Sequence, residues 1–128
     1  MIAHTGIAVS DYKKSKEFYI KALAPLGYTN NMEYGEAAGF MEGGHTSFWI
    51  GKKDAPITQG HVAFEAKNKE EVDVFYKAAM EAGAKDNGAP GYRKEYWPGY
   101  YAAFVYDFDG NNIETVWFDY SQAPEEKK

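Results

Sequence analysis

Two stretches of this chain alternate apolar and polar residues and then pass into a helical rhythm, and the second repeats the first 57 positions later. HTGIAVSDYKKSKEFYIKALAPLG, beginning at His4, aligns with HVAFEAKNKEEVDVFYKAAMEAG, beginning at His61. His4 falls on His61, Phe18 on Phe75, Tyr19 on Tyr76 and Ala22 on Ala79. In the first copy, residues 2–9 alternate as a strand, with His4, Gly6 and Ala8 on one face and Thr5, Ile7 and Val9 on the other. Ser10 and Asp11 offer capping oxygens to a helix over about 12–24, in which Phe18, Tyr19, Ala22 and Leu23 recur at helical spacing. Pro25 and Gly27 stop it. Three short strands are expected over 28–51, the last of them (TSFWI, 46–50) after the Gly43-Gly44 turn.

The second copy restarts at Gly60. His61, Ala63 and Glu65 share one strand face; Asn68 and Glu71 form a capping box for a helix that runs to about Ala82 and is ended by Gly83. Residues 86–98, rich in Gly, Pro and charge, read as a long loop able to cover a site. Residues 100–106 (YYAAFVY) and 112–118 (NIETVWF) read as strands joined by a tight Asp-Gly turn. The order strand, helix, three strands thus occurs twice. This predicts an α+β fold: two βαβββ modules, about 1–51 and 60–120, joined by residues 52–59 into one domain over 1–120. Neither module buries its sheet alone, so the two should form a curved, cup-like mixed sheet with helices outside and a cleft within. Residues 121–128 (SQAPEEKK) read as a disordered polar tail.

Composition narrows the function classes. The net charge of −5 argues against nucleic-acid and anionic-membrane partners, which need a basic surface. No apolar run reaches the roughly 18 residues of a membrane span, and MIAHTG has no signal-peptide pattern, so a cytoplasmic protein is expected. Absence of cysteine removes disulfides and thiolate ligands. Eleven Tyr, eight Phe and three Trp suit a ring-lined cavity as well as a core.

Against that background the paired histidines stand out. A duplicated strand carrying His at one fixed position brings two imidazoles toward a pseudo-twofold axis. In the last strand Asn112, Glu114, Val116 and Phe118 share a face, and Glu114 is a carboxylate in an otherwise apolar run. Its burial is costly unless a cation or hydrogen-bond donor meets it. Two imidazoles and one carboxylate form the facial set used by iron(II) and related ions, and zinc accepts the same ligands. His4, His61 and Glu114 are therefore the candidate metal ligands. One of Tyr100 and Tyr101 must face the same side if the pleat is regular, where its hydroxyl is a candidate proton donor; core packing is the alternative role. Trp49 is a candidate wall of the cup, and Arg93 in the presumed loop a candidate anion contact, although a solvated role is simpler for it. His45, beside Gly43-Gly44, reads first as a surface residue.

HTGIAVSD with its helix, HVAF restarting the second half, and YYAAFVYDFDGNNIE near the end resemble the vicinal oxygen chelate superfamily, over about residues 2–117. That superfamily includes glyoxalase I, extradiol dioxygenases, and fosfomycin- and bleomycin-resistance proteins; the ending is most similar to its small glyoxalase-like members. The resemblance implies one divalent ion (Fe, Zn, Mn or Ni) on His4, His61 and Glu114. It also implies a small substrate chelated through adjacent oxygens, lyase, isomerase or dioxygenase chemistry in which the base is Glu114, a metal-bound water or a loop residue, and homodimers whose cups are in some cases shared. Glyoxalase I carries a further glutamate ligand on the last strand of its first module, and residues 46–50 contain no carboxylate, which counts against lactoylglutathione lyase activity. The alternative implied by the same resemblance is a metal-free module that sequesters a ligand in an aromatic cup.

Overall fold

The computed structural model describes residues 1–54 and 56–122. The first module comprises β1 (Thr5–Val9), α1 (Tyr12–Leu23), β2 (Thr29–Tyr34), β3 (Ala37–Glu42) and β4 (His45–Lys52). The second comprises β5 (His61–Glu65), α2 (Lys69–Glu81), β6 (Lys85–Tyr92), β7 (Tyr100–Tyr106) and β8 (Asn112–Phe118). The sheets are ordered β1-β4-β3-β2 and β5-β8-β7-β6, with a parallel pair at one edge of each and antiparallel pairs elsewhere. This is the duplicated α+β architecture expected from the repeat. The expected disordered tail falls largely on residues 123–128, outside the described residues; Tyr120–Gln122 forms a 3-10 turn.

Local chemistry accounts for the helices. Asp11 and Asn68 occupy equivalent N-caps and accept from the N–H groups of Lys14 and Glu71 respectively. The Glu71 carboxylate also accepts from the N–H of Lys67, the residue before the cap, and ties the incoming chain to the helix start. Gly27 follows the first helical segment at φ +87° and Gly83 follows the second at φ +108°, conformations that glycine adopts without strain.

Two expectations need correction. The first strand begins at Thr5, leaving His4 in the exposed lead-in rather than on the ladder. Most of the presumed loop over 86–98 is strand β6. Gly88, Pro90 and Gly91 disguise it, but β6 is an edge strand, where a missing donor is tolerated and bulges are common. Its pairing with β7 shifts between Asp86 and Gly88 and again between Gly88 and Gly91.

The core lies between the modules. Phe48 of β4 meets Phe64 of β5 edge-on at 5.0 Å, Tyr28 meets Phe64 at 5.4 Å, and α1 packs against α2. Phe18, Tyr19, Phe40, Ile50, Phe75, Val105 and Ile113 are buried around them. The sheet faces that meet inside the chain are thus the ones bearing the helices. A polar node crosses this junction. Asp107 accepts from the Tyr19 hydroxyl at 2.5 Å, the Asn111 amide at 2.9 Å, and the N–H groups of Asn111 and Asp109. Asn111 also donates to the Ala8 carbonyl and accepts from the Gly60 N–H at 2.8 Å.

Hydroxyl-to-carboxylate bonds recur across the fold: Tyr12 to Glu33, Tyr76 to Asp86, Tyr92 to Asp119, Tyr100 to Glu114 and Tyr101 to Asp73, besides Tyr19 to Asp107. Burial first, then the accepting carboxylate, pushes the Tyr12 hydroxyl up to about 12 and raises Tyr100 and Tyr101 as well. Burial and the Asp107 charge raise Tyr19 well above its ordinary value, and the carboxylate bond is the main cause for Tyr76 and Tyr92.

Two predictions follow from this packing. Folded values above the unfolded value of about 10 mean that the tyrosine contribution is intact below pH 10. It is lost as pH climbs from there through 12, because the unfolded chain releases its protons first. A melting temperature that stays level across pH 10–12 would refute this. Thr115, fully buried on β8, finds no hydrogen-bond partner for its hydroxyl among the described residues. Thr115→Val should therefore stabilise the fold by about 1 kcal/mol in denaturant titration, by removing a desolvated donor.

Candidate functional site

The alternation of β5 and β8 sets which side chains meet on the open face of the second sheet. His61 is paired with Asn112, and Ala63 with Glu114, across the parallel ladder. His61, Glu114 and Tyr100 consequently converge. The His61 Nε2 lies 3.0 Å from Glu114 Oε1, and the Tyr100 hydroxyl donates to Glu114 Oε2. Glu114 is only 3% exposed, whereas the His61 side chain is 48% exposed and forms the solvent edge of the cluster. The sequence left open how a carboxylate survives in that apolar strand. Two protein donors meet it.

Asn112 Nδ2 lies 2.7 Å from His61 Nδ1, and Asn87 donates to Asn112 Oδ1 at 3.2 Å. These two amides were not among the residues picked out from sequence. Asn112 shares its strand face with Glu114, and that parity was the available signal. Asn87 was hidden by the misread of β6: it is the unpaired residue between Asp86 and Gly88, the kind of bulge that re-aims a side chain. Gly88, at φ +146°, also lies under Phe104, which a side chain there would crowd.

The tyrosines separate as the pleat requires. Tyr100 joins the cluster, while Tyr101 is buried on the opposite face with its hydroxyl on Asp73 of α2 at 2.5 Å, so the structure gives Tyr101 a packing role. Burial, then the bond to Glu114, raises the Tyr100 pKa, and its hydroxyl keeps its proton at neutral pH. Arg93 follows β6 and donates to the carbonyls of Gly91 and Ala89 at 2.8 Å, with its guanidinium 5.3 Å from the Phe104 ring centre. It lines a cavity of about 280 Å³ together with Asn87, Tyr96, Phe104 and Asn112. Arg93 therefore borders the cluster with part of its fork already engaged.

The first module presents a different face. Gly6, Trp49, Gly39 and Met32 are in register across the sheet. A Cβ at Gly39 would fall 2.9 Å from the Trp49 ring, so the indole rests directly on that backbone; Tyr34 stacks on it at 6.1 Å and 19°. β4 carries no carboxylate. His4 lies ahead of β1, exposed, and takes no part in the His61–Glu114 bond. His45 contacts the carbonyl of Ala3.

His61 and Glu114 fit a divalent ion as a pair, with an imidazole nitrogen and a carboxylate oxygen facing one another across 3.0 Å. Among the described residues, however, no three His, Asp or Glu side chains gather into a group able to hold a metal. His4, exposed ahead of β1, joins no such group within one chain. No helix among the described residues is long and apolar enough to cross a membrane.

Comparison with known proteins identifies the fold and the family. None of the curated proteins searched matches the chain. Among solved structures, a glyoxalase/bleomycin resistance protein from Albidiferax ferrireducens T118 is 27% identical, with 90% of this chain and 96% of that one covered, at a TM-score of 0.78. A glyoxalase/bleomycin resistance protein/dioxygenase family enzyme from Burkholderia phytofirmans PsJN is 17% identical over 92% and 98% of the two chains, at 0.70. The genomically encoded fosfomycin resistance protein FosX from Listeria monocytogenes, a mutant solved with Mn(II) and 1S,2S-dihydroxypropylphosphonic acid, is 20% identical over 91% and 88%, at 0.68. The last two likenesses concern the fold alone. The family model of the Glyoxalase/Bleomycin resistance protein/Dioxygenase superfamily matches residues 1–115, and the chain therefore belongs to that superfamily.

Proposed function

We propose that this protein is a metal-dependent enzyme of the glyoxalase/dioxygenase kind, acting as a homodimer on a small substrate with neighbouring oxygens. His61 and Glu114 of one copy and His4 of a second copy would hold one divalent ion. The observation that carries the reading is the His61–Glu114–Tyr100 cluster on an open sheet face. Manganese in FosX, a relative of the same fold, supports it. The dimer is supported by His4, which is exposed ahead of β1 and joins no group of three metal-binding side chains within one chain among the described residues.

When bound, the ion supplies Lewis acidity to the adjacent oxygens of the substrate. The chain's own groups do the rest. His61 and Glu114 fix the site to two strands that cannot slide, since Asn111 anchors the start of both through Gly60. Tyr100 donates a proton from a hydroxyl that remains protonated at neutral pH, and Glu114 accepts one at a carboxylate oxygen. Trp49 and Tyr34, contributed by the first module of the other copy, wall the cup and exclude water. Arg93, beside the cluster, orients an anionic part of the substrate with the donors its carbonyl contacts leave unused. Activity as a lactoylglutathione lyase is disfavoured by the absence of a carboxylate from β4.

A second reading is favoured by one observation. Glu114 is already satisfied by His61 and Tyr100, so the carboxylate does not require a cation for burial. On this reading the protein is a metal-free binding module that holds a flat ligand over Trp49 and Tyr34.

The two readings diverge on metal content. Protein purified without added metal or chelator should carry one divalent ion per chain by elemental analysis, and His61→Ala should lose it while keeping its fold. A chelator should lower the melting temperature; at a hundredfold excess of ion over Kd the stabilisation is about 2.7 kcal/mol. Wild-type protein that holds no ion and melts alike with chelator would establish the binding module instead. Sharing of the site between copies has its own test. His4→Ala and His61→Ala chains, each unable to bind metal alone, should regain one intact site per mixed dimer after refolding together. If the mixture binds no more than the separate variants, each copy builds its own site.

A further inference from the structure

Where α1, Gln59, the start of β6 and the β7–β8 turn meet, the packed modules leave a cavity of about 580 Å³, within the size of a small-molecule site. Its charge is unusual for this chain. The protein carries a net charge of −5, yet the ionised side chains that line the cavity are Lys14, Lys85 and a single carboxylate, Asp107. Asp107 is fully engaged on its inner side: it is 4% exposed and accepts from Tyr19, from the Asn111 amide and from the N–H groups of Asp109 and Asn111. Neither lysine has a carboxylate partner. Among the described residues, the lysine salt bridges are Lys16–Glu33, Lys52–Glu36 and Lys67–Glu42. Two ammonium groups therefore face one cavity without a counter-charge.

Lys14 is also held in place. Its Nζ stands 4.2 Å from the centre of the Phe108 ring. That ring is fixed in turn by Phe18, edge-on at 5.2 Å, and by Gly83, where a Cβ would come within 3.0 Å of Phe108 Cε1. An aromatic face positions a cation but leaves its charge intact. Lys85 is in register with Tyr106 across the β6–β7 ladder, so the two side chains leave the same face of the sheet. Gln59 gives one amide hydrogen to the Asp109 carbonyl at 3.2 Å and keeps a second donor at the rim.

These donors select a kind of ligand. An ammonium is a compact point charge with three rotating donors, which suits a tetrahedral phosphoryl group carrying two charges. A planar carboxylate is better matched by an arginine fork, and no arginine lines this cavity. The space is larger than a bare phosphate needs, and the remaining wall includes the rings of Phe108 and Tyr106. We infer that this cavity is a second binding site, for a small organic phosphate whose phosphoryl group lies between Lys14 and Lys85 and whose apolar part rests on Tyr106 and Phe108. It shares no lining residue with the cavity of Arg93 and Asn112 beside His61, so the inference stands or falls independently of the metal reading.

Phenyl phosphate is a suitable probe at about pH 8, where a phosphate monoester is a dianion. Titrated into nitrogen-15-labelled protein, it should bind saturably and shift the amide signals of Gly83, Lys85, Phe108 and Gly110. Lys14→Gln and Lys85→Gln should each weaken binding by ~5-fold, the upper end for an exposed ion pair, and the double variant should lose saturable binding. Lys13→Gln, which removes a charge from the same helix but outside the cavity, should bind as the wild type does. Benzoate, which keeps the ring but replaces the dianion with a planar single charge, should bind more weakly. A titration that never saturates overturns the inference, as does equal weakening by Lys13→Gln. Benzoate binding as tightly as phenyl phosphate overturns it too, and that comparison uses the unmodified chain, so it decides the matter even if a variant folds poorly.

Discussion

A buried carboxylate with its hydrogen bonds satisfied is the constraint on which this architecture turns. Asp107 is nearly inaccessible, and an unpartnered charge there would cost several kcal/mol. It is met by a hydroxyl from α1, by the Asn111 side chain, and by two backbone N–H groups of its own turn. Because Asn111 simultaneously holds the Ala8 carbonyl and the Gly60 N–H, one turn in the second module fixes the end of β1 and the start of β5. His61 is the next residue after Gly60. The position of the candidate ligand is thus inherited from a node that performs no chemistry.

The site and the scaffold share one bonding habit, tyrosine hydroxyl to carboxylate. In the scaffold the Tyr19–Asp107 bond is closed to solvent, since both residues are buried and the other bonds of Asp107 stay within its own turn. At the candidate site the same bond is open to competition, because Glu114 lies between Tyr100 and a half-exposed imidazole. A cation bound there would compete with the His61–Glu114 contact itself. Affinity at such a site is a difference between two satisfied states, and that makes the groups behind the histidine matter as much as the ligands in front of it.

Much of the fold was legible because its signals are local. The capping residues Asp11 and Asn68, the helix-ending Gly83, and the Asp-Gly turn act within a few positions, and the duplication supplied each signal twice. β6 was not legible, since its glycines and proline are written for a loop while its pairing is decided by β7. The site was readable as far as strand parity reaches. Parity put Glu114, Asn112 and one tyrosine on the face of His61, and ladder register brought them into contact. It gave no measure of where His4 would stand, because that depends on which sheet faces pack together inside the chain. That Tyr100 is one of the donors meeting Glu114 was not legible, because its reach across the pleat is invisible in a linear string.

Trp49 illustrates how much can be set by residues that have no side chain. The indole rests on the sheet because Gly39 offers bare backbone beneath it, and Gly6 on the adjoining strand lacks the Cβ that would press on the Trp49 backbone and Cβ. An alanine at Gly39 would tilt the ring up into the space above the sheet, or force the strand to bow away from it. The height of the indole above the sheet is accordingly set from below, by a glycine. Among related sequences, the residue at this position should track the thickness of whatever is admitted more closely than the identity of the aromatic lining does.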